Sequence, residues 1–459
     1  MTAILPIIVA LGLLVLLAYR GWNLLIATPL LAALAVVLSQ DGPVLAFYTQ
    51  VFMRATGDFI VLYLPIFLLG AVFGKLMEAS GSAAVLAHGT IRLLGARQAI
   101  LAVVLCCALM TYGGVSLFVV AFAVFPLAAA VFAEARISPR LIPAAIALGA
   151  FTFTMTAMPG TPSIQNAIPM RFFGTTPFAA PGLGLIASSV MFLIGWRWLE
   201  SRARRLGDEL LETEGAPSAT TSGGGPSAPV ALLPLLVVLA VNLAFTFAVL
   251  PRLDTGWLAD PRFGAADLDT VRGIWSLIAA LTLACATILV LNWTRLKEQI
   301  QSALGEGADS AMKPIFNTAC LVGFGSVVAA LPGFAAVSAA ATGLGGDNLL
   351  ISLAVSTSLL AGMTGSASGG MSIALTALGD TYLQMAAAAG IAPELLHRIT
   401  AVATGGLDTL PHNGAVISLL AICGRTHRES YPDIAVVAVA GPLVALVVLI
   451  ALGSAFGSF

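Results

Sequence analysis

The chain has 459 residues, 59% of them hydrophobic and 9% charged, with a formal net charge of −1. Soluble domains carry roughly 25% charged residues, and nucleic-acid binders concentrate positive charge, so both classes are excluded. A mean hydropathy of +1.00, without the ten-residue alternation of barrel strands, predicts an all-α polytopic membrane protein in contact with lipid.

Residues 3–19 and 23–39 read as two spans separated by Arg20, Gly21 and Trp22. The first is expected to be a retained helix, since it has neither a basic leader nor a cleavage site. A third span runs from about Asp58 to Leu76. Ala83 to Gln98, with His88, Arg92 and Arg97, suits the membrane interface. Leu101 to Met110 and Val115 to Phe132 flank Thr111, Tyr112, Gly113 and Gly114, a pattern that predicts a re-entrant hairpin with a glycine tip. After Pro139 an apolar run to Met155 meets Ala157-Met158-Pro159-Gly160-Thr161-Pro162-Ser163, where two prolines and a glycine interrupt the helix. Phe178 to Trp198 is an ordinary span.

From residue 200 to 229 the composition changes to Arg202, Arg204, Arg205, several acids and then Gly, Ser, Pro and Thr, which reads as a polar linker. Val230 to Leu250 and Gly273 to Leu291 follow as spans, Arg295 to Ser310 as a charged amphipathic segment and Pro314 to Leu331 as a further span. Leu349 to Ala361 and Met371 to Leu378 then flank Gly362-Met363-Thr364-Gly365-Ser366-Ala367-Ser368-Gly369-Gly370. Neither arm has the roughly 20 apolar residues that a crossing needs, so a second re-entrant hairpin is expected. A run beginning near Leu395 is interrupted between Gly405 and Gly414, and Ile434 to Leu452 closes the chain.

The order of elements is therefore alike in residues 1–199 and 230–459, and Gly114 to Pro159 spans 45 positions where Gly370 to Pro411 spans 41. Five crossings per half would insert the second repeat upside down, the inverted arrangement of many secondary transporters. With the linker in the cytoplasm, 15 of the 21 basic residues fall inside and 6 outside, as the positive-inside rule expects. His397 and Arg398 then lie near the outer surface, and both termini face outward. The five cysteines, with no CxxC pair, read as small core residues.

Unwound backbone is tolerated at membrane depth only where protein or a water-filled cavity satisfies it, so the two tips and two breaks are expected to converge on a solute. Half-helix N-termini there suit a carboxylate. The hydroxyls of Thr111, Ser116, Thr161, Ser163, Thr364, Ser366 and Ser368 could bond it, although small residues also serve close helix packing. Asp408 and His412 are the ionisable residues at the second break, and such residues mark ion or substrate pathways. His412 is preferred as proton carrier, with Asp408 the alternative and helix capping the bland reading. The first break offers only Gln165 and Asn166. No HExxH, GxSxG, Walker A or paired-carboxylate motif occurs, so an enzyme is not expected, nor is a cofactor or metal.

On length, paired halves, the Thr111-Tyr112-Gly113-Gly114 and Gly362–Gly370 tips and the His412-Asn413 break, the chain resembles the GntP permeases of a larger ion-transporter group. The resemblance implies proton symport of hydroxy acids by an elevator working against a dimeric scaffold. It implies a substrate site at Thr111, Tyr112, Gly113, Gly114, Ser116, Pro159, Gly160, Thr161, Ser163, Asn166, Thr364, Gly365, Ser366, Ser368, Gly369, His412 and Asn413. Leu410-Pro411-His412-Asn413-Gly414 stands where gluconate permeases have a His-Val-Asn-Asp-type sequence, and Met158-Pro159-Gly160-Thr161-Pro162 departs from their His-Pro-Gly pattern. The chain is more similar to the hydroxybutyrate branch. The expected function is proton-driven import of a small hydroxy-monocarboxylate across a bacterial inner membrane, with sugar-acid symport or sodium coupling as alternatives.

Overall fold

The computed structural model describes residues 4–20, 22–95, 98–115, 117–206, 225–263, 266–343, 348–411 and 413–459. Among them the structure is helical throughout, with no strand. Among the described residues six helices are long and apolar enough to cross a membrane. Their outer faces stay apolar, with Val61, Val290 and Val447 exposed, which water would penalise and lipid does not.

The first half opens with α1 (Leu5–Tyr19) and α2 (Leu24–Ser39). Asn23 caps α2 by accepting from the Leu25 N–H at 3.0 Å. Next comes α3 (Val44–Ala79), 36 residues long and longer than the expected third span, because Arg54 and Asp58 project from an exposed flank instead of ending it. α4 (Ser82–Leu94) buries Ser82, Ala83, Leu86 and Ala87 on one face, the i, i+3, i+4 spacing of an amphipathic helix. The first hairpin is α5 (Ala99–Tyr112) and α6 (Leu117–Glu134). The first broken helix comprises α7 (Ile142–Ala150) and α8 (Ile164–Phe173), and α9 (Pro181–Leu206) ends the half. The expected linker thus begins inside a helix, and its residues 207–224 lie outside the described ones.

The second half repeats this order. It runs through α10 (Ala228–Arg252), α11 (Leu268–Leu291), α12 (Ile300–Ala330) and the short α13 (Phe334–Gly343). The second hairpin is α14 (Leu349–Thr364) and α15 (Ala367–Ala388). The second broken helix is α16 (Pro393–Leu407) and α17 (Gly414–Ile422), before the closing α18 (His427–Phe456).

The second half departs from the sequence pattern at two places. The expected segments Arg295–Ser310 and Pro314–Leu331 are joined, from Ile300 to Ala330, in one 31-residue helix that runs through Pro314. Packing overrides the proline: Gly307 lets α12 approach the backbone of Val72, Gly323 does the same at Phe52, and Lys75 pairs with Glu306 at 3.4 Å. The return arm of the second hairpin has 22 residues, not the eight of Met371 to Leu378. It continues past Asp380 because the buried Tyr382 hydroxyl joins Ser352 and Ser356 of α14 at 2.9 and 3.0 Å.

Helix pairings are reciprocal between the halves. α5 lies on α7 as α14 lies on α16, α8 packs on α15 as α17 packs on α6, and α3 against α11 matches α12 against α2. The corresponding elements α3 and α12 pack on each other along their lengths, as do α9 and α18.

Candidate functional site

At the second tip, Gly365 adopts the left-handed conformation with φ +61° and ends α14, the role that glycine fills without a Cβ penalty. Ser366 begins α15, its hydroxyl accepting from the Gly369 N–H at 3.1 Å. A Cβ on Gly370 would stand 2.3 Å from Ala361 backbone atoms, so glycine is what lets the two arms meet. Across the break, Asn413 caps α17 by accepting from the Ala415 and Val416 amides at 2.6 and 3.0 Å. Its Nδ2 donates to the carbonyl oxygens of Gly365 at 3.0 Å and Asp408 at 2.8 Å. One amide side chain therefore stitches the tip to the break.

These elements wall a cavity of about 850 Å³. Of the residues singled out in the sequence, Thr364, Gly365, Ser366, Ser368, Asp408 and Asn413 line it. Gln165 and Thr156 come from the first broken region and Asn317 and Thr318 from α12. Thr318 Oγ1 lies 3.3 Å from Ser368 Oγ. Leu117, Phe151, Met155 and Leu321 supply apolar wall, and exposed Trp22, Asn23, Asp309 and Lys313 stand at the mouth. Asp408 is 9% exposed, and its Oδ1 has no hydrogen-bond partner.

The first tip and break are packed differently. Tyr112 donates to the Pro159 carbonyl at 2.7 Å, so this hairpin too is clipped to its own break. Gly113 abuts Leu235, and Gly114, at φ +98°, fits against Pro162, Leu281 and Phe73. Gly160 donates from its N–H to the Pro177 carbonyl at 2.8 Å and receives Asn242 Nδ2 on its own carbonyl at 3.0 Å. Ser163 donates to the Met155 carbonyl. Thr111, Gly113, Gly114, Pro159, Gly160, Thr161, Ser163, Asn166 and Gly369 do not line the cavity. Tyr112 faces a separate cavity of about 980 Å³ bounded by Leu86, Leu105, Leu109, Phe153 and Phe192, which among the described residues has no charged side chain to hold a carboxylate. Ser116 and His412 lie outside the described residues.

A polar cluster that sequence reasoning placed at the outer surface lies behind the cavity. Arg398 and His397 are both fully buried. Arg398 Nε and Nη2 donate to the Ala179 carbonyl at 3.1 and 2.7 Å, and Nη1 donates to the Thr156 carbonyl at 3.0 Å and to Asn166 Oδ1 at 3.2 Å. His397 Nε2 lies 3.0 Å from the same Asn166 oxygen and Nδ1 2.6 Å from Thr175 Oγ1. Because that oxygen can only accept, Nε2 carries a proton, and in the neutral ring Nδ1 accepts from the threonine. Asn166 Nδ2 donates to Thr161 and Pro177 carbonyls at 3.0 and 2.9 Å, so this amide is saturated. No sequence spacing signals the cluster, since its main partners are backbone carbonyls.

Helical spans, two clipped hairpins and a polar cavity between broken helices define the class: a polytopic membrane transporter. No family model matches the chain. It is 46% identical over 445 residues to the uncharacterized transporter YxjC of Bacillus subtilis (strain 168), covering 93% of this chain and 94% of that protein. The chain belongs to the family of that transporter. A distant structural likeness extends to the Alcanivorax borkumensis YdaH transporter, with TM-score 0.48 and 17% identity over 91% of this chain and 90% of that one. Another extends to Neisseria gonorrhoeae MtrF, of a class of antimetabolite efflux pumps, with TM-score 0.45 and 16% identity over 89% and 84%.

Proposed function

We propose that this transporter is a proton symporter of a small hydroxy-monocarboxylate, of which 3-hydroxybutyrate is the type. The observation that carries the reading is the Asp408 carboxylate, buried in the cavity wall with Oδ1 unpartnered, beside a tip of small hydroxyls. A substrate carboxylate entering this space meets a like charge, and two carboxylates in one desolvated site repel unless a proton joins them. Protonated Asp408 becomes a donor that bonds the substrate anion, so proton and anion enter together. The mixed wall favours a short alkyl chain with one hydroxyl: Leu117, Phe151, Met155 and Leu321 suit methyl and methylene groups, whereas gluconate would set hydroxyls against them. This agrees with the resemblance to the hydroxybutyrate branch of the GntP permeases.

The reciprocal pairings support two inverted repeats, 1–199 and 230–459, and the excess of basic residues on one side is what supports a bacterial inner membrane orientation with both termini outside. In that orientation the cavity mouth at Trp22, Asn23 and Lys313 faces the cytoplasm. Arg398 and His397 bind the two broken helices to one another, as an elevator body moving against the scaffold of a homodimer would need. Uptake of 3-hydroxybutyrate into proteoliposomes, with pH and sodium gradients imposed separately, tests the reading. Accumulation with the pH gradient alone is the expected result. Accumulation with sodium alone would replace proton coupling, and gluconate uptake without hydroxybutyrate uptake would replace the substrate.

A further inference from the structure

Gln165 and Asn166 are neighbours at the start of α8, both are buried, and their side chains meet opposite fates. Every polar position of the Asn166 amide is engaged within the protein. Gln165, 9% exposed, reaches the cavity wall, where its Oε1 has no hydrogen-bond partner. On α12, one residue before the Thr318 that touches the second tip, Asn317 also lines the cavity, and its Oδ1 is likewise buried and unpartnered. A buried carbonyl oxygen without a donor loses the hydrogen bond that it held in water. Both side chains line the cavity, and rotation of either terminal amide would turn its unpartnered oxygen toward a ligand that donates.

We propose that Gln165 and Asn317 are the specificity-determining pair that receives the hydroxyl of a hydroxycarboxylate, an assignment that rests on the carboxylate-transport reading above. The substrate's carboxylate is an acceptor and goes to protonated Asp408 and the tip hydroxyls. Its hydroxyl is the one group on such a molecule that can donate at neutral pH, and the unpartnered amide oxygens are the groups that lack a donor. The single hydroxyl proton goes to one of the two amide oxygens, and the other residue, its amide turned to present NH2, donates to the hydroxyl oxygen. Sites built around a substrate hydroxyl discriminate strongly against analogues that lack it, because their buried polar groups are then left unpaired.

The test is competition against labelled 3-hydroxybutyrate uptake in proteoliposomes by butyrate and by 3-fluorobutyrate, which has no hydroxyl donor. In the native protein both analogues should compete roughly tenfold or more weakly than unlabelled 3-hydroxybutyrate. In Gln165→Met and Asn317→Leu, which keep side-chain volume, the preference should collapse to within about threefold. Absence of uptake of every carboxylate by the native protein would sink the transport reading itself. Uptake with butyrate and 3-fluorobutyrate competing as well as 3-hydroxybutyrate would leave that reading standing and overturn the assignment. So would variants that keep the native preference, or that change only a sodium dependence, which would make the two oxygens cation ligands. Should both variants fail to elute as folded protein, the analogue series on the native transporter decides.

Discussion

Arg398, late in the chain, holds the Asn166 side chain of the first half at 3.2 Å while its other donors close on the carbonyls of Thr156 and Ala179. A planar guanidinium can serve three acceptors in a fixed fork, and an ammonium cannot. Arg398→Met would leave those buried acceptors bare, at about 1 to 3 kcal/mol for each group. Thermal unfolding in detergent should fall markedly for Met and partly for Arg398→Lys. An unchanged midpoint in Arg398→Met would show that the cluster does not hold the two broken helices together.

Asn413 performs two tasks that substitution can separate. Asn413→Asp keeps the oxygen that caps α17 but removes the Nδ2 donor to Gly365 and Asp408. Asn413→Ala removes both. The cap is worth about 1 kcal/mol, so stability should follow the order Asn, Asp, Ala. Substrate affinity should fall in both variants, because each frees the second tip from its break, and further in Asn413→Asp, whose carboxylate lines the cavity and repels the substrate anion. Equal affinity in Asn413→Asp and the native protein, read by tryptophan fluorescence titration, would mean that the stitch does not shape the site.

Much of this was legible in sequence because glycine, proline and small hydroxyls leave a compositional trace inside apolar runs. The Gly362–Gly370 tip and the interruption between Gly405 and Gly414 carry that trace. Pro314 left the same trace and misled: α12 continues because Gly307 and Gly323 let it pack closely on α3, and packing is not written in local spacing. Arg398 read as an interfacial charge because its partners are carbonyls more than two hundred residues away. Gln165 and Asn166 are alike as letters, and only the fold shows which amide is saturated.

Gly370→Ala tests the hairpin geometry. The added methyl would sit 2.3 Å from backbone atoms of Ala361, a contact no side-chain rotation relieves. Overpacking of this kind costs about 1 to 3 kcal/mol, and α14 and α15 must separate at the tip that lines the cavity. Uptake should be lost while folded protein is still recovered at lower yield. Native-like uptake would show that the arms have room that the structure does not give them.

Tyr112→Phe addresses the first tip, which does not reach the cavity. The lost bond to the Pro159 carbonyl should cost about 1 kcal/mol, seen as a modest drop in the unfolding midpoint. KM for hydroxybutyrate should stay within about twofold of native, since uniform substrate binding is untouched. A tenfold rise in KM would place this tip against the substrate in another state of the transport cycle.

Asp408→Asn separates proton movement from substrate movement. The amide matches protonated Asp408 in size and can donate to a bound carboxylate, yet it cannot release a proton. The variant should therefore exchange labelled for unlabelled hydroxybutyrate across proteoliposomes, while accumulation driven by an imposed pH gradient disappears. Asp408→Ala has no donor to offer and should lose exchange as well. Because Oδ1 has no protein partner, removing the charge breaks no hydrogen bond at that atom, and a folding defect is not expected from its loss. If Asp408→Asn still accumulates substrate against the gradient, the coupling proton travels on another group.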